Sequence, residues 1–212
     1  MRWRWKIAQA VEIRWWQRYL KNKEKSDYLA WKTNYWRTFL DKCAVQVLEG
    51  AYCLDAGCGP AGIFTILDQQ KVDAIDPLLD TYGSKIDHFN PEEYPYAKFK
   101  NQALEDLEGK DVYDYIFCLN AINHVSDIEL CMDRLWAALK PKGTLVLSID
   151  SHNYKVFKHI FRLLPGDILH PHQYDLKEYE NMVTNRGGNI VQTIQIDKAF
   201  WFNYYTIVAT KQ

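Results

Sequence analysis

Residues 52 to 62 read Tyr-Cys-Leu-Asp-Ala-Gly-Cys-Gly-Pro-Ala-Gly, and this stretch constrains the chain more than any other. Tyr52 to Leu54 form an apolar run with the length of a short buried strand. Gly57, Gly59 and Gly62 then turn the backbone towards a helix opening near Pro60. Proline suits a first helical turn because its φ is pre-set and it has no N–H to lose. Glycines at the turn let backbone N–H groups approach a ligand closely, and a helix start offers unpaired donors. Together these predict a nucleotide-type cofactor at the carboxyl end of a parallel strand.

The chain has 212 residues, 48% of them apolar, which suits one α/β domain with a helical extension. Its net charge of -1 offers no global field for nucleic acid or membrane, so no nucleic-acid partner is expected. The charge is uneven. Residues 1 to 25 hold eight Lys or Arg against two Glu, and residues 1 to 36 hold six of the eight tryptophans. The five cysteines (Cys43, Cys53, Cys58, Cys118, Cys131) form no C-x-x-C pair, which predicts reduced thiols in a cytoplasmic protein. No apolar run reaches transmembrane length, and no signal-peptide core is visible.

Periodicity predicts helices at 5–22 and 26–48. Trp5, Ala8, Val11, Trp15 and Tyr19 mark the apolar face of the first, and Ser26 or Asp27 would cap the second. Strands are expected at 51–55, 72–75, 98–100, 112–119 and 144–149, with helices at 60–69 and 127–139 between them. Residues 77–96 read as a loop with one short helix. Residues 151–175 carry four of the six histidines and read as an insertion. A helix at 176–186 would end at Gly187-Gly188. Strands at 190–196 and 204–210 have no helix between them, so they should pair antiparallel. The expected fold is a doubly wound, mostly parallel seven-stranded α/β sheet ending in an antiparallel hairpin. The division is a helical extension at 1–50 followed by a cofactor domain at 51–212.

Either NAD or S-adenosylmethionine (SAM) would use a G-x-G-x-x-G turn and the carboxylate of Asp76, nineteen residues beyond Gly57. Three features favour SAM. Asp55 stands at the mouth of the site, where an anion repels a pyrophosphate but suits an amino-acid ammonium. About 50 residues precede the first strand, whereas a dinucleotide domain commonly begins with it. The closing hairpin fits a methyltransferase sheet.

The run Leu54-Asp55-Ala56-Gly57-Cys58-Gly59 resembles the first motif of class I SAM-dependent methyltransferases, in particular the small-molecule branch with its Rossmann-like fold. The resemblance continues in Ile75-Asp76-Pro77, Tyr113-Asp114-Tyr115-Ile116 and Leu139-Lys140-Pro141-Lys142-Gly143-Thr144-Leu145, and covers roughly residues 50 to 150. It implies that Asp55 and Gly57 flank the methionine part of the cofactor, with Cys58 and Gly59 also among the cofactor-binding residues. It implies that Asp76 holds the ribose and Pro77 lies beside the adenine. Gln102, Ala103 and Leu104 would line the adenine pocket, without the acidic residue the family often has nearby. Leu119 and Asn120 would face the methionine and sulfonium, and Asn123-His124 matches a histidine common after that strand. The segment 151–175 would lie on the acceptor side.

The implied reaction moves a methyl group from SAM to an O, N or C atom of a small molecule, leaving S-adenosylhomocysteine (SAH). A general base is needed only for an oxygen or a protonated nitrogen. His124, His170 and His172 are the catalytic candidates, with Tyr174 behind them. His124 also reads as a residue that merely hydrogen-bonds its loop. No metal is expected, because His170, His172 and Asp175 are loosely spaced for zinc. Cys58 reads as a small buried residue rather than a nucleophile. The Trp/Arg-rich first helix reads as packing on the domain, as a lid over the acceptor, or, least favoured, as a membrane contact. Two alternatives stay open: a NAD(P)-dependent oxidoreductase and a non-catalytic SAM-binding partner subunit. Leu119-Asn120-Ala121-Ile122 argues against the branch that methylates nucleic-acid amines.

Overall fold

The computed structural model describes residues 2–152, 174–198 and 202–212. Helices α1 (Arg2–Leu20) and α2 (Lys25–Lys42) precede a sheet of seven strands. The strands are β1 (Tyr52–Ala56), β2 (Lys71–Asp76), β3 (Ala97–Asn101), β4 (Tyr113–Leu119), β5 (Leu139–His152), β6 (Gly188–Lys198) and β7 (Phe202–Lys211). Helices α3 (Leu79–Lys85), α4 (Ile128–Ala138) and α5 (Leu176–Thr184) flank it. The spatial order is β3-β2-β1-β4-β5-β7-β6. The first five strands pair parallel, and β7 pairs antiparallel with both β5 and β6. The doubly wound sheet and its closing hairpin are therefore as the sequence pattern predicts. The strand order reverses beside β1, because β2 and β4 lie on its two sides, and such a point opens a crevice at the carboxyl ends.

Alternation along the strands divides the core between two faces. Leu54 and Ala56 join Ile116, Cys118, Leu145 and Leu147 beneath α4 and α5. Cys53 joins Phe117, Val146 and Val208 on the face covered by α1, α2 and α3. Asp55 alternates with Leu54 and so points to this second face, which sets the side on which any ligand of its carboxylate must lie.

Several elements differ from expectation. Residues 60–69 form no continuous helix but two 3₁₀ turns, Gly59–Ala61 and Ile63–Ile66. The break falls at Gly62, which is extended (φ -73°, ψ -172°), and a Cβ there would collide with the Asp55 carboxylate. The Asp55 side chain occupies the space that a straight helix would need. Helix α2 stops at Lys42, well before residue 48, because Ala44 turns to φ 45°. Its N-cap is Glu24, which accepts from the Asp27 N–H at 2.9 Å and from the Ser26 hydroxyl, so neither Ser26 nor Asp27 is the cap. These bonds lower the Glu24 carboxyl to about 2, the Ser26 hydroxyl contributing most.

The packed face of α1 is also not the expected one. Val11 and Trp15 are 41% and 53% exposed, while Ile13 and Leu20 are buried. Trp15 stacks on Tyr19 at 4.9 Å, and the rings run on through Tyr28 to Trp31, forming an aromatic ladder across both helices. A pattern with tryptophan on every side has no single apolar stripe, so periodicity could not choose the face.

Gly57 has φ 75°, and a Cβ on it would collide with the Cβ of Ala121 at the end of β4. Gly57→Ala should therefore lower stability by roughly 2–4 kcal/mol through left-handed strain and overpacking. Urea unfolding of the purified variant checks this, and a loss under about 0.5 kcal/mol would show that the two loops can separate cheaply.

Candidate active site

The crevice at the carboxyl ends of β1, β2 and β4 is organised by two carboxylates. Asp55 is 2% exposed, and its Oδ2 accepts from the Phe64 N–H at 3.0 Å. Asp76 is 7% exposed; its Oδ1 accepts from Leu78 N–H at 2.8 Å and its Oδ2 from Gly59 N–H at 3.0 Å. The N–H groups of Gly57 and Cys58 donate to Ile75 O at 2.8 and 3.1 Å. The glycine loop is thus folded back onto β2, and most of its amides are committed within the protein. Pro77 follows Asp76 directly and is half-buried.

Burial shifts the ionisation of this loop. Desolvation pushes Asp55 up to about 7, against hydrogen bonds from Phe64 and Ile63 and the charge of Lys32. Asp76 also rises to about 7, through desolvation first and then the charge of Glu12. Cys58 is buried between them and its thiol is held well above the usual range, so it is no nucleophile. The structure agrees with the reading of Cys58 as a small residue at a crowded turn.

Three further segments reach the crevice. Gln102 donates its backbone N–H to Asp76 O at 3.2 Å, while its side-chain amide donates to Asp106 O at 2.6 Å. Ala103 precedes a short 3₁₀ turn, and Leu104 is buried within it. Leu119 ends β4 buried, and Asn120 takes φ 56°, with its N–H donating to the Ser148 hydroxyl at 2.8 Å. The structure therefore brings Asp55, Gly57, Cys58, Gly59, Asp76, Pro77, Gln102, Ala103, Leu104, Leu119 and Asn120 to one edge of the sheet.

His124 is exposed in the 3₁₀ turn Ile122–His124, just beyond β4 on the same edge. Its neighbour Asn123 is buried and accepts from the Tyr179 hydroxyl at 2.6 Å, tying α5 to this loop. His170 and His172, and nearly all of the segment 151–175, lie outside the described residues. Tyr174, at the end of that segment, is half-buried and packs edge-on against Tyr179 at 5.7 Å.

Two residues of the N-terminal helices were not predicted from sequence. Lys32 lies 4.7, 5.2 and 5.7 Å from the ring centres of Trp36, Tyr35 and Trp31. Desolvation lowers its ammonium to about 8, and the charge of Asp55 opposes the shift. Trp36 anchors this cage to the glycine loop by donating its indole N–H to Ala61 O at 3.0 Å. Glu12 of α1 accepts from the Tyr82 hydroxyl at 2.9 Å. The only sequence signal for either was a charge on an aromatic helix, which most often marks a solvated face. The arrangement can hold a molecule that has hydrogen-bond donors for two carboxylates and an anion for an ammonium. Among the described residues no cluster of His, Cys, Asp or Glu is arranged to hold a metal ion.

Comparison with known proteins agrees with the fold. Residues 28–193, from within α2 to within β6, match the family model described as a methyltransferase domain, and the chain belongs to that family. The ubiquinone biosynthesis O-methyltransferase of Rhodopseudomonas palustris (strain TIE-1) is 28% identical over 143 residues, 62% of this chain and 54% of that protein. The chain thus spans about half the length of the curated relatives it matches. A putative S-adenosylmethionine-dependent methyltransferase from Listeria monocytogenes superposes with a TM-score of 0.66 at 16% identity, covering 81% of this chain and 95% of that one. The magnesium protoporphyrin IX methyltransferase of Synechocystis PCC 6803, solved with bound SAH, gives 0.60 at 21% identity, covering 87% and 83%.

The raised acids predict a pH dependence. An acid with a folded pKa above its unfolded one stabilises the fold fully below about pH 4, and that contribution is lost as pH rises through the folded value. For Asp55 and Asp76 the window runs up to about pH 7. Thermal melts of the ligand-free protein should show the midpoint falling across this window, less steeply in Asp76→Asn. Equal slopes in the two proteins would show that Asp76 ionises as it does in the unfolded chain.

Proposed function

We propose that the chain binds SAM at the carboxyl ends of β1, β2 and β4 and methylates an oxygen, nitrogen or carbon atom of a small molecule. One observation carries this reading. The amides of Gly57 and Cys58 are taken by Ile75 O, that of Gly59 by Asp76 and that of Phe64 by Asp55, so the turn is lined by two carboxylates rather than by open N–H groups. A pyrophosphate would meet two carboxylates instead of an anion hole, which counts against the NAD(P)-dependent oxidoreductase. The residues fit SAM instead, because its ammonium and ribose hydroxyls are donors and its amino-acid carboxylate suits Lys32.

In this reading Asp55 and the turn Gly57-Cys58-Gly59 hold the methionine end. Lys32, held by its aromatic cage, pairs with the α-carboxylate. Asp76 holds the ribose, while Pro77, Gln102, Ala103 and Leu104 border the adenine. Leu119 and the turned backbone of Asn120 face the reacting end. Bound SAM supplies an electrophilic methyl group on a sulfonium that leaves as a neutral thioether. The protein's part is alignment of acceptor and donor, which supplies up to about 7–11 kcal/mol in ideal geometry. His124 would take the proton from an oxygen acceptor. A relative named as an O-methyltransferase favours oxygen over nitrogen or carbon. The segment 151–175 would wall the acceptor side, with His170 and His172 as further bases. Five free cysteines, all buried, suit a reducing compartment, and we place the enzyme in the cytoplasm. Among the described residues no helix is long and apolar enough to cross a membrane.

Isothermal titration with SAM, SAH and NAD tests the assignment. SAM and SAH should bind, and NAD should not; binding of NAD alone would overturn it. Asp76→Ala and Lys32→Met should each weaken SAM by on the order of 10-fold or more, the loss of one hydrogen bond or ion pair to a charged group. Unchanged affinity in either folded variant would remove that residue from the site.

A further inference from the structure

Helix α1 reaches the glycine loop and α3. Trp16 reaches to 3.9 Å from the position that a Cβ on Gly59 would occupy. Gly59 is the residue whose N–H donates to Asp76. Glu12 lies one helical turn before Trp16, on the same side of α1. Its Oε1 accepts from Tyr82, a fully buried residue of α3, and α3 begins three residues after Asp76. Glu12 is thus fixed between the glycine loop and the start of α3, the two elements that enclose the Asp76 carboxylate. Its Oε2 takes no hydrogen bond among the described residues, and neither Glu12 nor Asp76 has an ion-pair partner among them.

We propose that Glu12 is a second ligand of the donor's ribose, accepting from one hydroxyl of the diol while Asp76 accepts from the other. The proposal rests on the methyl-donor reading above. Two carboxylates facing one crevice repel each other, and each needs a donor or a cation. A vicinal diol brings two O–H donors in adjacent positions and no charge. It offers one O–H donor to each carboxylate from adjacent positions. Burial raises Asp76 most, and the negative charge of Glu12 adds to the rise. Tyr82 orients Glu12 by taking one of its oxygens and leaving the other for the ligand. Trp16, one turn further on, then covers the loop. Helix α1 becomes the cover of the donor side of the crevice, in place of the acceptor-side lid that its aromatic residues suggest.

A ligand-side comparison tests this without reading turnover. SAH and its 2′-deoxy and 3′-deoxy analogues are titrated by calorimetry into the full chain, and into Glu12→Gln and Glu12→Ala. Wild type should lose on the order of 10-fold in affinity for each missing hydroxyl. Both variants should bind SAH more weakly than wild type. They should also lose most of the penalty for one of the two analogues and keep the penalty for the other. Glu12→Gln keeps an acceptor for Tyr82, so it carries the comparison if Glu12→Ala does not fold. Unchanged penalties for both analogues in a folded variant would overturn the role of Glu12 and leave the methyl-donor reading standing. Failure of wild type to bind SAH would overturn both.

Discussion

Two carboxylates at the ends of neighbouring parallel strands give the crevice its shape. Asp55 and Asp76 are almost fully buried, a costly position for a charge. The cost is partly offset by the backbone N–H groups of Gly59 and Phe64 after β1 and of Leu78 after β2. The turn after β1 cannot be a regular helix, because one of those carboxylates fills its path at Gly62. The loop is therefore held by side-chain acceptors instead of helical bonds. This inverts the usual nucleotide-binding turn, in which open amides wait for a phosphate. The polarity of the crevice follows directly: it accepts hydrogen bonds and favours a cationic, hydroxyl-bearing ligand.

The N-terminal helices complete that polarity. Trp36 bonds the loop carbonyl at Ala61, Lys32 sits in a cage of three rings, and Trp16 lies against Gly59. A lysine in such a place loses hydration, and ring faces return part of it through cation–π attraction. The cage also fixes where the ammonium can go, which a flexible four-carbon stem would not do alone. Six of the eight tryptophans fall within residues 1 to 36, and four of them, Trp15, Trp16, Trp31 and Trp36, join the aromatic ladder of α1 and α2. The matched family region begins at residue 28, so most of α2 belongs to the family's domain while all of α1 lies before it.

The sheet was legible in the sequence because its signals are local. Tyr52 to Leu54 is a short apolar run before glycines, and 190–196 and 204–210 are too close for a crossover. The N-terminal helices were legible as helices but not as faces. Val11 and Trp15 look like core residues and are exposed, whereas Glu12 and Lys32 look like surface charges and are held inside, Glu12 by the Tyr82 hydroxyl and Lys32 among three rings. The deciding energies there are long-range: what Lys32 meets depends on Asp55, more than twenty residues away. The helix expected at 60–69 failed for the same reason, since only the folded position of Asp55 shows that Gly62 must be extended. The cap of α2 was missed by two residues, because a glutamate there is a less common N-cap than the serine beside it.

The closing hairpin also bears on the crevice, beyond completing the sheet. Ser148 of β5 sits opposite Leu119 of β4 in the parallel register, and its hydroxyl accepts from Asn120 N–H at 2.8 Å. The Tyr204 hydroxyl of β7 donates to the same oxygen at 2.7 Å. Asn120 is held at φ 56°, a conformation that costs most residues energy and asparagine less. A backbone turned this way has to be held by a partner, and the partner is a buried hydroxyl that is itself oriented from β7. The antiparallel strand thus acts on the end of β4 through a serine. Because β7 pairs directly with β5, its Tyr204 helps to hold the residue that faces the reacting end of the proposed donor.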